Sequence, residues 1–203
     1  MPPDQRPIPR FVAEPPHEGL PSGRFEAKLA ERFRSACAEV EAGEEEIGEA
    51  AEITWFPDRT YAGRTYVPAV APTSSGVELF GFVAYPRGAP GGEGAAYEAF
   101  ADVTAETAAA NPGWKLDLSD HELEDYLGLE GRGTITLVWG RALVPEGEVA
   151  TAELGTTTTD QCPLVDDRFS LVSLDDYSGD LLEVRLYGRA GRELAIESLY
   201  EGE

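Results

Sequence analysis

Lysine is nearly missing from this 203-residue chain: Lys28 and Lys115 are its two lysines, and arginine supplies the rest of its 16 cations. Against them stand 38 Asp and Glu, giving a formal charge of −22. Nucleic-acid binding draws its affinity from cations that neutralise phosphates, and anionic membrane surfaces ask for the same basic clusters. Neither partner is expected. Strong acidity suits a basic protein partner, high solubility or a salty medium.

Cysteine and histidine are equally scarce. Cys37 and Cys162 lack the paired or His-matched spacing of a zinc site, and two free thiols are expected rather than a disulfide. His17 and His121 are the two histidines, so nucleophilic catalysis finds little support, and neither GxSxG nor HExxH occurs. No apolar run approaches the roughly 20 residues of a membrane helix. The opening MPPDQRPIPR has no apolar core segment, so no secretory signal is read and the chain is expected to be cytoplasmic. Asn111, Gln5 and Gln161 are the only side-chain amides, a scarcity that fits heat adaptation and a GC-rich genome alike.

What is present begins with proline. Residues 1–22 hold seven of the 15 prolines, and such an arm is extended when alone. It also carries Ile8, Phe11, Val12 and Leu20, more apolar surface than a spacer needs. Met1 to Ala38 holds six bases and five acids, a net +1, so the remainder carries −23. A near-neutral arm beside so acidic a body can dock on it, within one chain or between copies.

Residues 23–203 are expected to form one α+β domain, with a mainly antiparallel sheet, two principal helices in the first half and a β-rich second half. A subdivision at 130/131 would separate a helix-and-meander part from the β-rich part. Ser22 caps a first helix over 24–42, striped by Phe25, Leu29, Phe33, Cys37 and Val40. Seven glutamates and no base follow between Glu39 and Glu52, with Glu44, Glu45 and Glu46 at the centre. The repeat Arg59-Thr60-Tyr61 and Arg64-Thr65-Tyr66 around Ala62-Gly63 reads as a hairpin. Pro68 pushes its strand toward a sheet edge. Residues 77–85 read as a central strand, and the alanine-rich 93–110 as the second helix, stopped by Asn111-Pro112-Gly113. A short strand at 114–118 precedes a two-turn helix capped by Ser119. Four or five strands complete the chain, with 192–200 ambiguous between strand and helix. The first part, α-β-β-β-α-β, resembles the small chaperone-type dimers of secretion systems in element order, an analogy of fold without functional content.

Three places invite chemistry. The Gly-rich 87–94 loop follows a strand and precedes the expected second helix, as phosphate-binding loops do. GxxxxGK[ST] and GxGxxG both fail there. The loop faintly resembles the cofactor loop of acyl-CoA N-acetyltransferases, but Pro90 stands where that family needs a glycine and Glu93 adds charge beside the pyrophosphate position. Asp117, His121 and Asp125 lie four apart, so on a helix they share a face that can hold a divalent metal or pair a base with an acid. Asp175 to Asp180 resembles part of a calcium loop without its closing glutamate and reads as a hairpin turn. Cys162 falls in TTTTDQCPL, read as a loop.

The remaining signal is the cluster of Trp55, Phe56, Tyr61 and Tyr66 with Arg59 and Arg64, a composition typical of interface anchors. The expected function is therefore an acidic, non-enzymatic interaction factor, an adaptor, inhibitor, immunity-type or chaperone-like protein, with no cofactor and a basic protein partner. Phe11, Tyr61, Arg64, Tyr66 and Glu44 to Glu46 are its expected contacts. Alternatives are an enzyme using the 87–94 loop or the 117–125 cluster, and a homo-oligomer joined by self-association of the N-terminal arm.

Overall fold

A computed structural model describes residues 13–17, 19–41, 47–88, 96–128, 131–177 and 179–199. Phe11, Glu44, Glu45, Glu46 and positions 89–94 of the expected phosphate loop lie outside them. The chain divides into two compact units, Pro15–Trp114 and Lys115–Glu203, with Ala13 and Glu14 grouped in the second. The division falls at Trp114/Lys115, ahead of the 130/131 subdivision read from the order of the expected elements.

The first unit lays one helix on an antiparallel sheet. Helix α1 (Gly23–Cys37) starts after Ser22, whose extended backbone suits an N-cap although its hydroxyl makes no capping bond. The stripe read from the sequence faces inward: Leu29 and Phe33 are fully buried, and Phe33 lies 6.1 Å from the ring of Trp55. The helix ends at Cys37, short of Gly43, and the turn after it brings Val40 back against the same core.

Strands β1 (Thr54–Trp55), β2 (Arg59–Tyr61), β3 (Arg64–Pro72), β4 (Glu78–Pro86) and β5 (Glu98–Thr104) run in the order β1-β3-β4-β5, with β2 also on β3. The Ala62-Gly63 turn has φ of 48° and 77°, the left-handed pair that matches a hairpin's twist. Val67, Ala69, Ala71, Leu79, Val83 and Tyr85 point to the helix. The opposite face carries an aromatic ladder in which Tyr66 meets Phe82 edge-on at 5.4 Å and Phe82 stacks on Phe100 at 5.7 Å.

The second unit is a two-sheet antiparallel sandwich. One sheet runs β10 (Arg168–Asp175), β7 (Arg132–Ala142), β6 (Leu116–Leu127); the other runs β12 (Glu193–Ser198), β11 (Leu182–Gly188), β8 (Gly147–Leu154), β9 (Thr157–Pro163). Their facing side chains form one core, with Val138, Phe169 and Leu171 against Ala150, Leu182, Val184 and Leu186. Each fully buried leucine contributes about 1.5–3 kcal/mol relative to exposure. At one edge the carboxylate of Asp160 accepts the Val172 amide at 2.8 Å, a side-chain link between the sheets. The buried carboxylate of Asp175 accepts the Asp176 and Leu182 amides at 2.7 and 2.8 Å, and Tyr177 and Asp180 exchange both backbone hydrogen bonds at 3.1 Å, so the expected hairpin turn forms where the chain passes from one sheet to the other.

On the outer face of the four-stranded sheet, Arg185 reaches Glu153 at 3.1 Å, Glu183 at 2.8 Å and Glu193 at 2.7 Å. Tyr187 donates to Glu153 at 3.0 Å, and burial together with that bond raises its phenol above the ordinary range. Arg185→Ala would leave three carboxylates facing one another without their shared cation. A loss of about 1–2 kcal/mol by urea unfolding is expected. Arg185→Lys should recover only part, because an ammonium lacks the planar fork that serves three partners.

The fold corrects the α+β expectation. Strands hold 56% of the described residues and helices 11%, with one α-helix and three antiparallel sheets. The expected second helix is strand β5: its alanines at 99 and 101 alternate with Phe100 and Asp102, and pairing to β4 overrides alanine's helical propensity. The expected two-turn helix after Ser119 is the second half of β6, paired along its length with the apolar β7. The secretion-chaperone element order fails with them. TTTTDQCPL is strand β9, in which Cys162 is fully buried, and both cysteines are free thiols. Residues 193–198 are strand rather than helix.

Candidate functional site

A cavity among the described residues arises from an interruption in the first unit's sheet. Pro68 lies in β3, which is interior rather than at the expected edge. Its carbonyl accepts the Phe56 amide at 3.0 Å, so its missing N–H faces the same side, toward β1 and β2. The neighbouring ladder breaks there: Trp55 pairs with Ala69, pairing resumes at Arg59 with Tyr66, and the chain between steps out of the sheet. Asp58 sits in that step.

Its carboxylate fastens the segment leading into α1. Asp58 Oδ1 accepts the His17 backbone amide at 2.7 Å, and Oδ2 meets His17 Nδ1 at 2.6 Å. An ionised carboxylate only accepts, so Nδ1 carries the proton and Nε2 is left to face outward. The His17 side chain is 70% exposed and that of Asp58 14%. A carboxylate held in a wall is thus paired with an imidazole at the mouth.

Between this segment and the sheet lies a cavity of about 490 Å³, within the roughly 300–1,000 Å³ of small-molecule sites. One wall is His17, Leu20, Pro21, Ser22 and Phe25. The other is Asp58, Thr65, Val67 and Tyr85, with Gly88 at the end. The rings of Phe25 and Tyr85 meet edge-on at 5.7 Å. No lysine or arginine lines the cavity among the described residues.

Burial pushes the Tyr85 phenol up to about 12, with the charge of Asp58 and the neighbouring Tyr97 adding to it and a hydrogen bond from Thr65 opposing it. The phenol therefore stays neutral at physiological pH. Linkage fixes the sign of the alkaline response. Between the ordinary value near 10 and the folded value, the native state holds a proton that the unfolded chain has lost. Stability is expected to fall as pH rises through that window. Tyr85→Phe should flatten the fall, read as melting temperature against pH.

The residues expected to act elsewhere are dispersed. Tyr61 and Arg64 pair across the β2–β3 hairpin, and Arg64 binds Glu98 at 2.9 Å. Tyr66 belongs to the aromatic ladder. Asp117 and His121 share a strand face but lie four residues apart, about 13 Å at strand rise. Beyond the bulge between Glu122 and Glu124, Asp125 points to the opposite face. Asp117 instead meets Arg141 at 3.5 Å, with burial raising its carboxyl against that cation. No metal-holding group of His, Cys, Asp or Glu occurs among the described residues. The spacing argument fails because it assumed a helix.

His17 and Asp58 escaped sequence reasoning for the converse reason. They lie 41 residues apart, one in the proline-rich arm and one in a turn, and no periodicity joins them. The available signal was Pro57-Asp58 beside Pro68, two prolines that together mark a break in pairing. No helix of the described residues is long and apolar enough to cross a membrane. Comparison with protein families, curated proteins and solved structures finds no match to this chain.

Proposed function

We propose that this protein is an acidic, non-enzymatic interaction factor that meets a basic protein partner. The observation that supports this reading most is how its arginines are used. Arg64, Arg141, Arg168, Arg185, Arg189 and Arg192 each bind one or more carboxylates at 2.6–3.5 Å. Local pairs thus engage six of the chain's 16 cations, against 38 Asp and Glu.

Part of that excess lies on β6, where Asp120, Glu122, Glu124 and Asp125 are exposed and no lysine or arginine falls between Leu116 and Leu127. Desolvation and the charges of Asp175 and Glu122 raise the Asp120 carboxyl above its usual range. A cation brought to this strand would relieve that repulsion. Tyr61 and Arg64 remain proposed contacts at the hairpin.

The test is capture of partners from lysate by the full chain, at about 50 mM and about 500 mM salt, bracketing the screening of exposed charges. A stoichiometric basic protein held at low salt and released at high salt is the expected result. Recovery of an acidic partner, or of one indifferent to salt, contradicts the reading.

A further inference from the structure

We propose that the cavity beneath the His17–Phe25 segment is a binding site for an alkylammonium group, with the Asp58 carboxylate as counter-charge and the rings of Phe25 and Tyr85 as walls. This rests on and deepens the acidic-partner reading, since a lysine side chain of a basic partner carries that group. A free alkylamine carries the same chemistry.

The charge complement comes from Asp58. Its oxygens accept His17 at 2.6 and 2.7 Å, yet a carboxylate has about four acceptor sites, so capacity remains for an ammonium donor. The lining holds no lysine or arginine among the described residues, and the chain as a whole carries −22. Both features repel an anion and favour a cation.

The walls supply what a hydrated inorganic ion would not use. Phe25 and Tyr85 present ring surface, and Leu20, Pro21 and Val67 accommodate an alkyl stem. Cations rest on aromatic faces within about 6 Å of the ring centre. The same unit already contains this contact, because Lys28 Nζ lies 4.5 Å above the ring of Tyr97, itself 5.8 Å from Tyr85. The site offers an incoming amine the environment that Lys28 has next door.

The experiment is amide NMR titration of the full chain with n-butylammonium, against butan-1-ol as the neutral analogue and butyrate as the anion. Saturable shifts at His17, Asp58 and Tyr85 are expected with butylammonium, about tenfold weaker binding with butan-1-ol, and none with butyrate. Asp58→Asn should weaken butylammonium about tenfold. Because that change also loosens the His17 tether, His17→Gln is run beside it, with circular dichroism checking both folds. His17→Gln keeps the backbone amide bond to Asp58 and should lose clearly less than Asp58→Asn, since Asp58 keeps its charge.

N-acetyl-lysine methylamide separates the two sources. Binding equal to butylammonium assigns the site to a partner's lysine, and exclusion of it assigns the site to a free amine. Equal affinity for butan-1-ol, absence of saturation, or equal losses in Asp58→Asn and His17→Gln would overturn the proposal. If Asp58→Asn still captures a salt-released basic partner while wild type fails to bind butylammonium, the cavity proposal fails and the acidic-partner reading stands.

Discussion

Gly81→Ala should destabilise the first unit by about 3 kcal/mol, near the top of the range for overpacking a close-fitting site. A Cβ at Gly81 would lie 2.0 Å from the Phe100 carbonyl oxygen, 2.8 Å from its carbon and 2.9 Å from Ala101 Cα. All three atoms are backbone of β5, so no side chain can swing aside. Gly81 pairs with Ala101 in the middle of the β4–β5 ladder. Relief therefore means separating the strands, and with them the stack of Phe82 on Phe100. Gly113→Ala is the control: nothing lies within 4 Å of its added Cβ, and the change should stay within about 0.5 kcal/mol. Urea unfolding of both variants checks the contrast, and equal midpoints would refute the close approach of the strands.

Phe33→Ala should cost about 3–5 kcal/mol. Phe33 is fully buried, and its ring packs on Trp55 and the helix-facing side of the sheet. Removing it leaves a cavity that a helix of 15 residues on one sheet face cannot close without tilting. Phe33→Leu keeps most of the volume and should lose about 1.5 kcal/mol. Leu127→Ala supplies the comparison, because Leu127 is 76% exposed and should change stability by less than about 0.5 kcal/mol. The Trp55 contact would also alter the near-ultraviolet circular dichroism of Phe33→Ala in the folded state. An unchanged midpoint would place Phe33 outside the core.

These two positions show what was and was not legible in the sequence. Phe33 stood in a stripe of helical period, and both the helix and its buried face follow from that period alone. The alternation of Leu182, Val184 and Leu186 gave β11 in the same way, and Ala62-Gly63 gave the hairpin. Gly81 carried no such signal, because its constraint comes from a strand that the sequence read as helix. Residues 98–104 are alanine-rich and acidic, and nothing local favours strand there beyond a short alternation. The unpaired edge of β4 decides the matter, and that edge is a tertiary fact.

β6 repeats the lesson. Ser119 followed by acids is a good helix start, and the same residues lie flat when β7 offers eleven pairing positions. The cost of that misreading fell on function. Asp117, His121 and Asp125 stand a single turn apart only on a helix, whereas the pair that did form, His17 with Asp58, required the fold before it could be seen. Composition, by contrast, needs no fold. The charge of −22 and the scarcity of lysine hold in any conformation, and the pairing of arginines with carboxylates sharpens their meaning.

The central claim is that acidic surface, and β6 above all, recognises a basic partner. Its most direct test is the salt dependence of affinity for the captured partner, measured for wild type and for a variant carrying Asp120→Asn, Glu122→Gln, Glu124→Gln and Asp125→Asn. Wild-type affinity should fall at least about tenfold between about 50 and 500 mM salt, as exposed charge pairs are screened. The variant should start weaker and vary less with salt, with its melting temperature maintained or raised by the loss of repulsion around Asp120. A wild-type affinity flat across that range, or a variant that binds as tightly as wild type with the same slope, would contradict the account.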